Sequence, residues 1–450
     1  MRSFVRRPQL AAVLVALAMA LVACSGAPAP TGPSDLSDAT VRALGFGNDW
    51  NWKQQVTPLE LGVTHTQYSL DPDEPTEARQ RGEGILANNG AIWQNIHLMG
   101  FGTLNPEPAP GDFDWSSLDE RMQLVKETGG RTVLTLCCSP DWMKGGQPGQ
   151  TDWSELETAP EPAHFDDFAA LAAQAVQRYP QIERVLVWNE LKGFYDSGKN
   201  RWDYEGYTEL YNKVYTAVKA VRPNVEIGGP YVVLTSLDPG SPDSSDVRGP
   251  WGVADQRALD VVDYWLANNV GADFVAVDGA TATRNETLAE PADAAARKFA
   301  DLTTWIRART QLPVWWAEFY PDVPSDQQGG ATSQASAAST LAVLAAYAQS
   351  GVSGALLWGP QGSDLGFSAL WTDSTQADGG RPTPLTAPWQ WLVPRLEAGH
   401  VAIGHSPTLP VLAFRAPDGM LVVNLTEDPV DLSEGDPLPP WAVLLSQRAP

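Results

Sequence analysis

Two glutamates stand where an acidic side chain needs a reason to be. Val185-Leu186-Val187-Trp188-Asn189-Glu190 is an apolar run that ends in a carboxylate. Pro313-Val314-Trp315-Trp316-Ala317-Glu318-Phe319-Tyr320 repeats the construction, its glutamate 128 residues further on. An ionised carboxylate beside tryptophan at the end of a buried strand is costly unless it is paired or used. Two such groups suit a division of labour: one carboxyl holds a proton to give, and the other, ionised, attacks. The bland alternative is a pair of salt-bridged glutamates on a solvated rim. Other chemistries find little support. His65, His97, His164, His400 and His405 are scattered with no HExxH or Cys-rich spacing, so each reads as a capping or surface residue and no metal site is expected. Neither a GxSxG elbow nor a phosphate-binding GxxxxGK[ST] loop occurs, and no cofactor is implied.

Elements that alternate along the chain must position the two glutamates. Short apolar runs read as strands at Arg42–Gly47, Trp93–Gly100, Thr132–Cys138, Arg184–Trp188, Val225–Gly228, Phe274–Val277, Val314–Ala317 and Gly354–Trp358. Helical patterns separate them, at 117–128, 165–178, 204–221, 256–268, 291–309 and 334–349, with weaker ones near 76–89 and 386–397. In Phe165–Tyr179, for example, Phe168, Leu171, Ala172, Ala175 and Val176 share one face, and Pro180 helps to stop the helix. Eight strands each followed by a helix fit an α/β fold of (β/α)8 TIM-barrel type over 41–398 better than an open doubly wound sheet. Glu190 then ends strand four and Glu318 ends strand seven, at the face where such barrels bind ligands. Lys53–Glu74 and Tyr231–Gly252 read as long loops after strands one and five. Beyond Gly399 the helical period gives way to short strands, so 399–450 reads as a small C-terminal β appendage.

The 450 residues hold 30 Lys+Arg against 54 Asp+Glu, a formal charge of −24. Such a chain repels phosphate backbones, which makes nucleic acid a poor partner; neutral ligands fit better. Residues 1–23 pair a basic start (MRSFVRR) with an apolar run from Leu10 to Ala23, too short for a spanning helix, and end Leu21-Val22-Ala23-Cys24. That ending resembles a bacterial lipobox. The resemblance implies cleavage before Cys24, lipid attachment to its thiol, and a tether over 24–40. The expected location is therefore outside the cell: a membrane lipoprotein facing outward, or a secreted protein, touching the membrane only through its N-terminal lipid. No protein partner is implied. Cys137 and Cys138 are the other two cysteines, and either a vicinal disulfide or two small buried thiols fits them.

The ordered set of motifs resembles the clan A glycoside hydrolases, and more narrowly the xylosidase-type enzymes of glycoside hydrolase family 39. It is carried by Trp188-Asn189-Glu190 at strand four and Glu318 at strand seven, with Gly45-Phe46-Gly47 assigned to strand one. Phe113-Asp114-Trp115, Ser139-Pro140-Asp141-Trp142, Ile227-Gly228-Gly229-Pro230 and Leu357-Trp358 support it. The resemblance implies retaining hydrolysis of an O-glycosidic bond in an oligo- or polysaccharide. Glu190 would be the acid/base, Glu318 the nucleophile, and Asn189 would bond the sugar 2-hydroxyl. Trp358 would support the sugar ring, and Trp50 and Trp142 are further candidate platforms. Strand six departs from the family pattern: its His and Tyr are absent, and Asp278 is left as a candidate sugar ligand. Burial against Trp188 is expected to raise the Glu190 pKa, and donors around Glu318 to lower its own. A solute-binding lipoprotein with two lobes, and a barrel that only binds glycan, are the competing readings.

Overall fold

A computed structural model of the chain describes residues 34–46, 50–67, 69–323, 330–362 and 367–446. The leader, Cys24 and the tether as far as residue 33 lie outside these residues, as does Gly47. The centre is a closed barrel of eight parallel strands. These are β1 (Glu60–Thr64), β2 (Trp93–His97), β3 (Arg131–Leu136) and β4 (Ile182–Val187). They continue with β5 (Glu226–Val233), β6 (Phe274–Ala280), β7 (Val314–Tyr320) and β8 (Gly354–Trp358), which closes on β1 through Gly354↔Glu60 to Trp358↔Thr64. The helices are α1 (Thr76–Ala87), α2 (Ser116–Glu127), α3 (Phe165–Arg178), α4 (Tyr204–Val221), α5 (Gln256–Asn268), α6 (Ala292–Arg307), α7 (Gln334–Ser350) and α8 (Thr386–Glu397).

The strands are apolar on both faces because both faces are covered. One set of side chains, including Trp93, Val133, Leu186, Phe274, Trp315 and Leu356, fills the inside of the barrel. The other set, including Val185, Val187, Val275 and Trp316, meets the helices. The N-terminal end of the barrel is plugged: the Arg184 guanidinium lies over Trp93 and Trp315 at 4.2 and 4.1 Å from their ring centroids and pairs with Glu60 at 2.6 Å. Cation–π contact and an ion pair seal that end, so polar groups inside the barrel gather at the C-terminal mouth.

The strand expected at Arg42–Gly47 is instead a helix, Asp38–Leu44. Its ends are written in the sequence: the Ser37 hydroxyl accepts from the Thr40 N–H at 3.1 Å, and Gly45 closes it in the left-handed region at φ 54°. The first barrel strand lies further on, at Glu60–Thr64, so Lys53–Glu74 is not a loop. Asn51–Gln54 pairs with Ala402–His405 in a six-stranded sheet built mostly from the C-terminal residues. That sheet is apolar on both sides. Leu412, Phe414, Leu421 and Val423 belong to the main core, whereas Val411, Ala413, Met420 and Val422 face a second cluster completed by Leu36, Leu44 and Trp50. The N-terminal segment is needed there to cover the outer apolar face. Helix α7 packs Tyr347 against Trp316 and Phe319 of β7 on one side and contacts this sheet on another, which is why Ala335–Ala348 is buried all round rather than along one stripe. No helix among the described residues is long and apolar enough to cross a membrane.

Candidate active site

The backbone turns sharply after β4. Trp188, Glu190 and Leu191 take φ values of 67°, 50° and 46°, in a region that costs a side-chain-bearing residue roughly 1–2 kcal/mol. This geometry sends Trp188 outward, where its ring meets Phe168 and Phe194 edge-on at 5.6 and 5.9 Å and its indole N–H donates to the Lys192 carbonyl at 2.7 Å. Glu190 is left at the mouth. On the opposite wall a register shift between β6 and β7 passes over Ala317 and pairs Asp278 with Glu318, bringing these two acids level. A second shift, between β5 and β6, passes over Tyr231, which has φ 54°.

Closest carboxylate oxygens of Glu190, Asp278 and Glu318 all lie within 4.8 Å of one another. The Tyr231 hydroxyl donates to Glu318 Oε1 at 2.7 Å, and the Tyr320 hydroxyl donates to Glu318 Oε2 in a short contact. Tyr320 also stands 3.5 Å from Glu190 Oε1, so one phenol bridges both glutamates. Lys192 closes the other side, with its ammonium 2.6 Å from Glu190 Oε2 and 2.7 Å from Glu157 Oε1. Three carboxylates this close are spaced to hold a metal ion. Here a lysine ammonium and two phenol protons already supply partners to two of the three, Glu190 and Glu318, so these residues are not assigned as metal ligands.

Ionisation follows from these neighbours, and it reverses the expectation from sequence. Glu190 is desolvated, yet the Lys192 ammonium outweighs that burial and holds its carboxyl below the usual glutamate value. Trp188, expected to raise it, points away. Glu318 is pushed up to about 8, first by burial and then by the charge on Glu190, although two phenols donate to it. Burial and the charges on Glu190 and Glu318 hold Asp278 well above the ordinary aspartate value.

The structure gathers some of the sequence candidates and separates others. Glu190, Glu318 and Asp278 share the mouth, with Asn189 buried beside Glu190 and against His97. The Trp358 ring, at the end of β8, lies 5.4 Å from Tyr320 and is therefore one residue removed from both glutamates. Trp142 is held by the Glu107 carbonyl at 2.9 Å and by the edge of His164. Trp50 does not belong to the mouth: it is buried in the appendage core, stacked 5.8 Å from Trp52, and its indole donates to the Leu44 carbonyl. His65 and His97 are not surface residues but fully buried, with pKa values lowered by burial to about 4 and about 3. Cys137 and Cys138 form a disulfide between adjacent residues just beyond β3.

Lys192, Tyr231 and Tyr320 escaped the reading of the sequence. Tyr320 sits two residues after Glu318 on one strand, and side chains at i and i+2 share a face, so that signal was present. Lys192 also stands two residues from its glutamate, but in a turn whose course no periodicity reveals.

No family model and no curated protein matches the sequence. Solved structures share its fold. A monomeric β-xylosidase from Caulobacter crescentus CB15 superposes with a TM-score of 0.56 at 17% identity, over 85% of this chain and 76% of that one. The GH39 enzyme from Xanthomonas axonopodis pv. citri gives 0.53 at 18% identity, over 84% and 74%. SrfJ from Salmonella typhimurium gives 0.56 at 12% identity, over 88% and 91%. The fold is thus a TIM barrel like those of glycoside hydrolase family 39 and other glycosidases.

Proposed function

We propose that the protein is a retaining glycoside hydrolase that cleaves O-glycosidic bonds in an oligo- or polysaccharide by double displacement, with β-xylosides among the first substrates to try. The observation that carries this reading is that Glu190 and Glu318 each bring a carboxylate oxygen to within 4.8 Å of the other across the barrel mouth. Retaining enzymes hold their two carboxyl groups about 5–5.5 Å apart, and inverting enzymes leave about 6.5–9.5 Å for a water. In this reading Glu318 attacks the anomeric carbon while Glu190 protonates the leaving oxygen, and water then reverses both roles. Tyr231 and Tyr320 orient the attacking oxygens, Asn189 bonds the sugar 2-hydroxyl, and Trp358 supports the ring. Residues 1–23 are an export leader, with Cys24 the lipidated anchor. A closed barrel is not the two-lobed architecture of a hinged solute-binding protein, so the competing reading is a barrel that binds glycan without cleaving it.

A panel of xylan, arabinan, β-glucan and mannan fragments with matching aryl glycosides tests this directly. Release of one sugar supports hydrolysis and names the sugar; binding by calorimetry without release favours the competing reading. The pH dependence of kcat/KM adds a second check, because it reports the free enzyme. A carboxyl raised to about 8 is neutral below that value and ionised above it, and only the ionised form attacks. The acidic limb is therefore expected to climb as pH rises through about 8. A limb near 4.5, the unperturbed glutamate value, would show that Glu318 ionises unhindered.

A further inference from the structure

Asp278 is the one carboxylate of the cluster without a donor. It is 0% exposed, and no N–H or O–H among the described residues donates to either of its oxygens. Glu318 receives two phenols and Glu190 receives Lys192. What faces Asp278 is the Glu190 carboxylate itself, an oxygen of each lying within 4.8 Å of the other. Two carboxyls this close in a buried site do not both ionise, so one of them carries a proton. Lys192 beside Glu190 favours the anion there, so the proton belongs on Asp278.

The wider surroundings agree. Lys192 faces Asp278 across Glu190; Tyr231, Tyr320 and, from α7, Tyr347 bring neutral phenols. Lys298 from α6 also senses Asp278, but its ammonium spends itself on the Ala280 carbonyl at 2.8 Å and Ser236 Oγ at 3.1 Å, and burial lowers it to about 7. None of these supplies Asp278 with a strong, direct counter-charge. A phenol proton given to Glu318 favours its ionised form, so when Asp278 and Glu318 share one proton it resides on Asp278.

We propose that Asp278 is a positioning residue that stores the proton which Glu190 delivers to the leaving group. This rests on the hydrolase reading above and says how that acid step works with a glutamate already paired to lysine. In the active form of the site, above the value of about 8 for Glu318, Asp278 is neutral, and Glu190 and Glu318 are anions. As the glycosidic C–O bond breaks, the proton moves from Asp278 Oδ to Glu190 and from Glu190 to the departing oxygen. Glu318 meanwhile forms an ester to the anomeric carbon and loses its charge as Asp278 gains one. The cluster carries two negative charges before and after, so no net charge is created in a buried site. In the second half Glu190 takes a proton from the attacking water, passes it back to Asp278, and the water oxygen displaces Glu318.

The test is Asp278→Asn, whose amide still donates to Glu190 but has no proton to pass on, with Asp278→Ser as a replacement should the amide not be tolerated. Infrared difference spectra are taken at a pH above the value of about 8 set for Glu318, so that Asp278 alone should remain protonated. The carboxylic-acid C=O stretch should be present in the wild type and missing from the variant. A wild type without the band, or a variant that keeps it, overturns the proposal. In kinetics the variant should lose about 10²-fold in kcat on glycosides with poor leaving groups and little on activated aryl glycosides. An equal loss on both, or none, also overturns it. Should the wild type cleave no glycoside at all while the band behaves as expected, it is the hydrolase reading that fails, and the stored proton stands.

Discussion

Glu318→Ala is expected to abolish turnover, lowering kcat by at least about 10⁴-fold, the scale on which covalent nucleophiles contribute. The fold should survive the change. Glu318 is held by two tyrosine hydroxyls and a raised pKa in a site that burial makes costly for charge, so removing it relieves repulsion among three acids while leaving two phenols to find water. Circular dichroism and the thermal midpoint check that point separately. A small external anion such as azide fits the space of the lost carboxylate and should restore turnover of activated aryl glycosides, with a product of inverted configuration. Wild-type-like activity in Glu318→Ala would remove the proposed nucleophile altogether.

Glu190→Ala should behave differently. A general acid matters most when the leaving group is a poor one, so alkyl glycosides and oligosaccharides should lose about 10²–10⁴-fold and activated aryl glycosides far less in the first step. On the aryl substrates the second step should then limit, because the same residue activates the water, and the glycosyl-enzyme should accumulate as a burst. Lys192 sharpens the expectation: its partners in the wild type are Glu190 and Glu157, and without Glu190 it keeps Glu157. Equal losses on both substrate classes would count against Glu190 as the acid.

Much of the scaffold was legible because it is periodic. Helices at 165–178, 204–221, 256–268 and 386–397 have the same bounds in the sequence pattern and in the structure, since each presents an apolar stripe to the barrel and stops at a recognisable end. Seven barrel strands were found as short apolar runs buried on both faces. The eighth was missed for a physical reason. Glu60-Leu61-Gly62-Val63-Thr64 is five residues long and interrupted by a glycine that is there for close approach: a Cβ on Gly62 would stand 2.1 Å from the Trp93 carbonyl oxygen. The stretch read as a strand in its place, Arg42–Gly47, begins inside a helix that Ser37 and Gly45 cap, and the appendage sheet gives that helix's apolar side a place to go.

The site divides along the same line. Its glutamates were visible because a strand ending in an acid is an anomaly within a pattern. Two of the groups that set their charge were not, because each reaches the mouth through an irregularity: a left-handed turn for Lys192, and a register shift for Tyr231. A lone histidine carries no period, and so His65 and His97 were assigned to the surface by default. Trp50 failed as a sugar platform because its position relative to strand one changed when strand one did.

The stereochemistry of the first-formed product tests the central claim most directly. Proton NMR of the anomeric region, recorded during the first minutes of cleavage of whichever glycoside the panel identifies, separates the two outcomes before mutarotation mixes them. Two carboxyls whose nearest oxygens lie within 4.8 Å across the mouth predict a product with the anomeric configuration of the substrate. A product that appears first with the opposite configuration would contradict a covalent intermediate on Glu318, and with it the roles assigned to both glutamates.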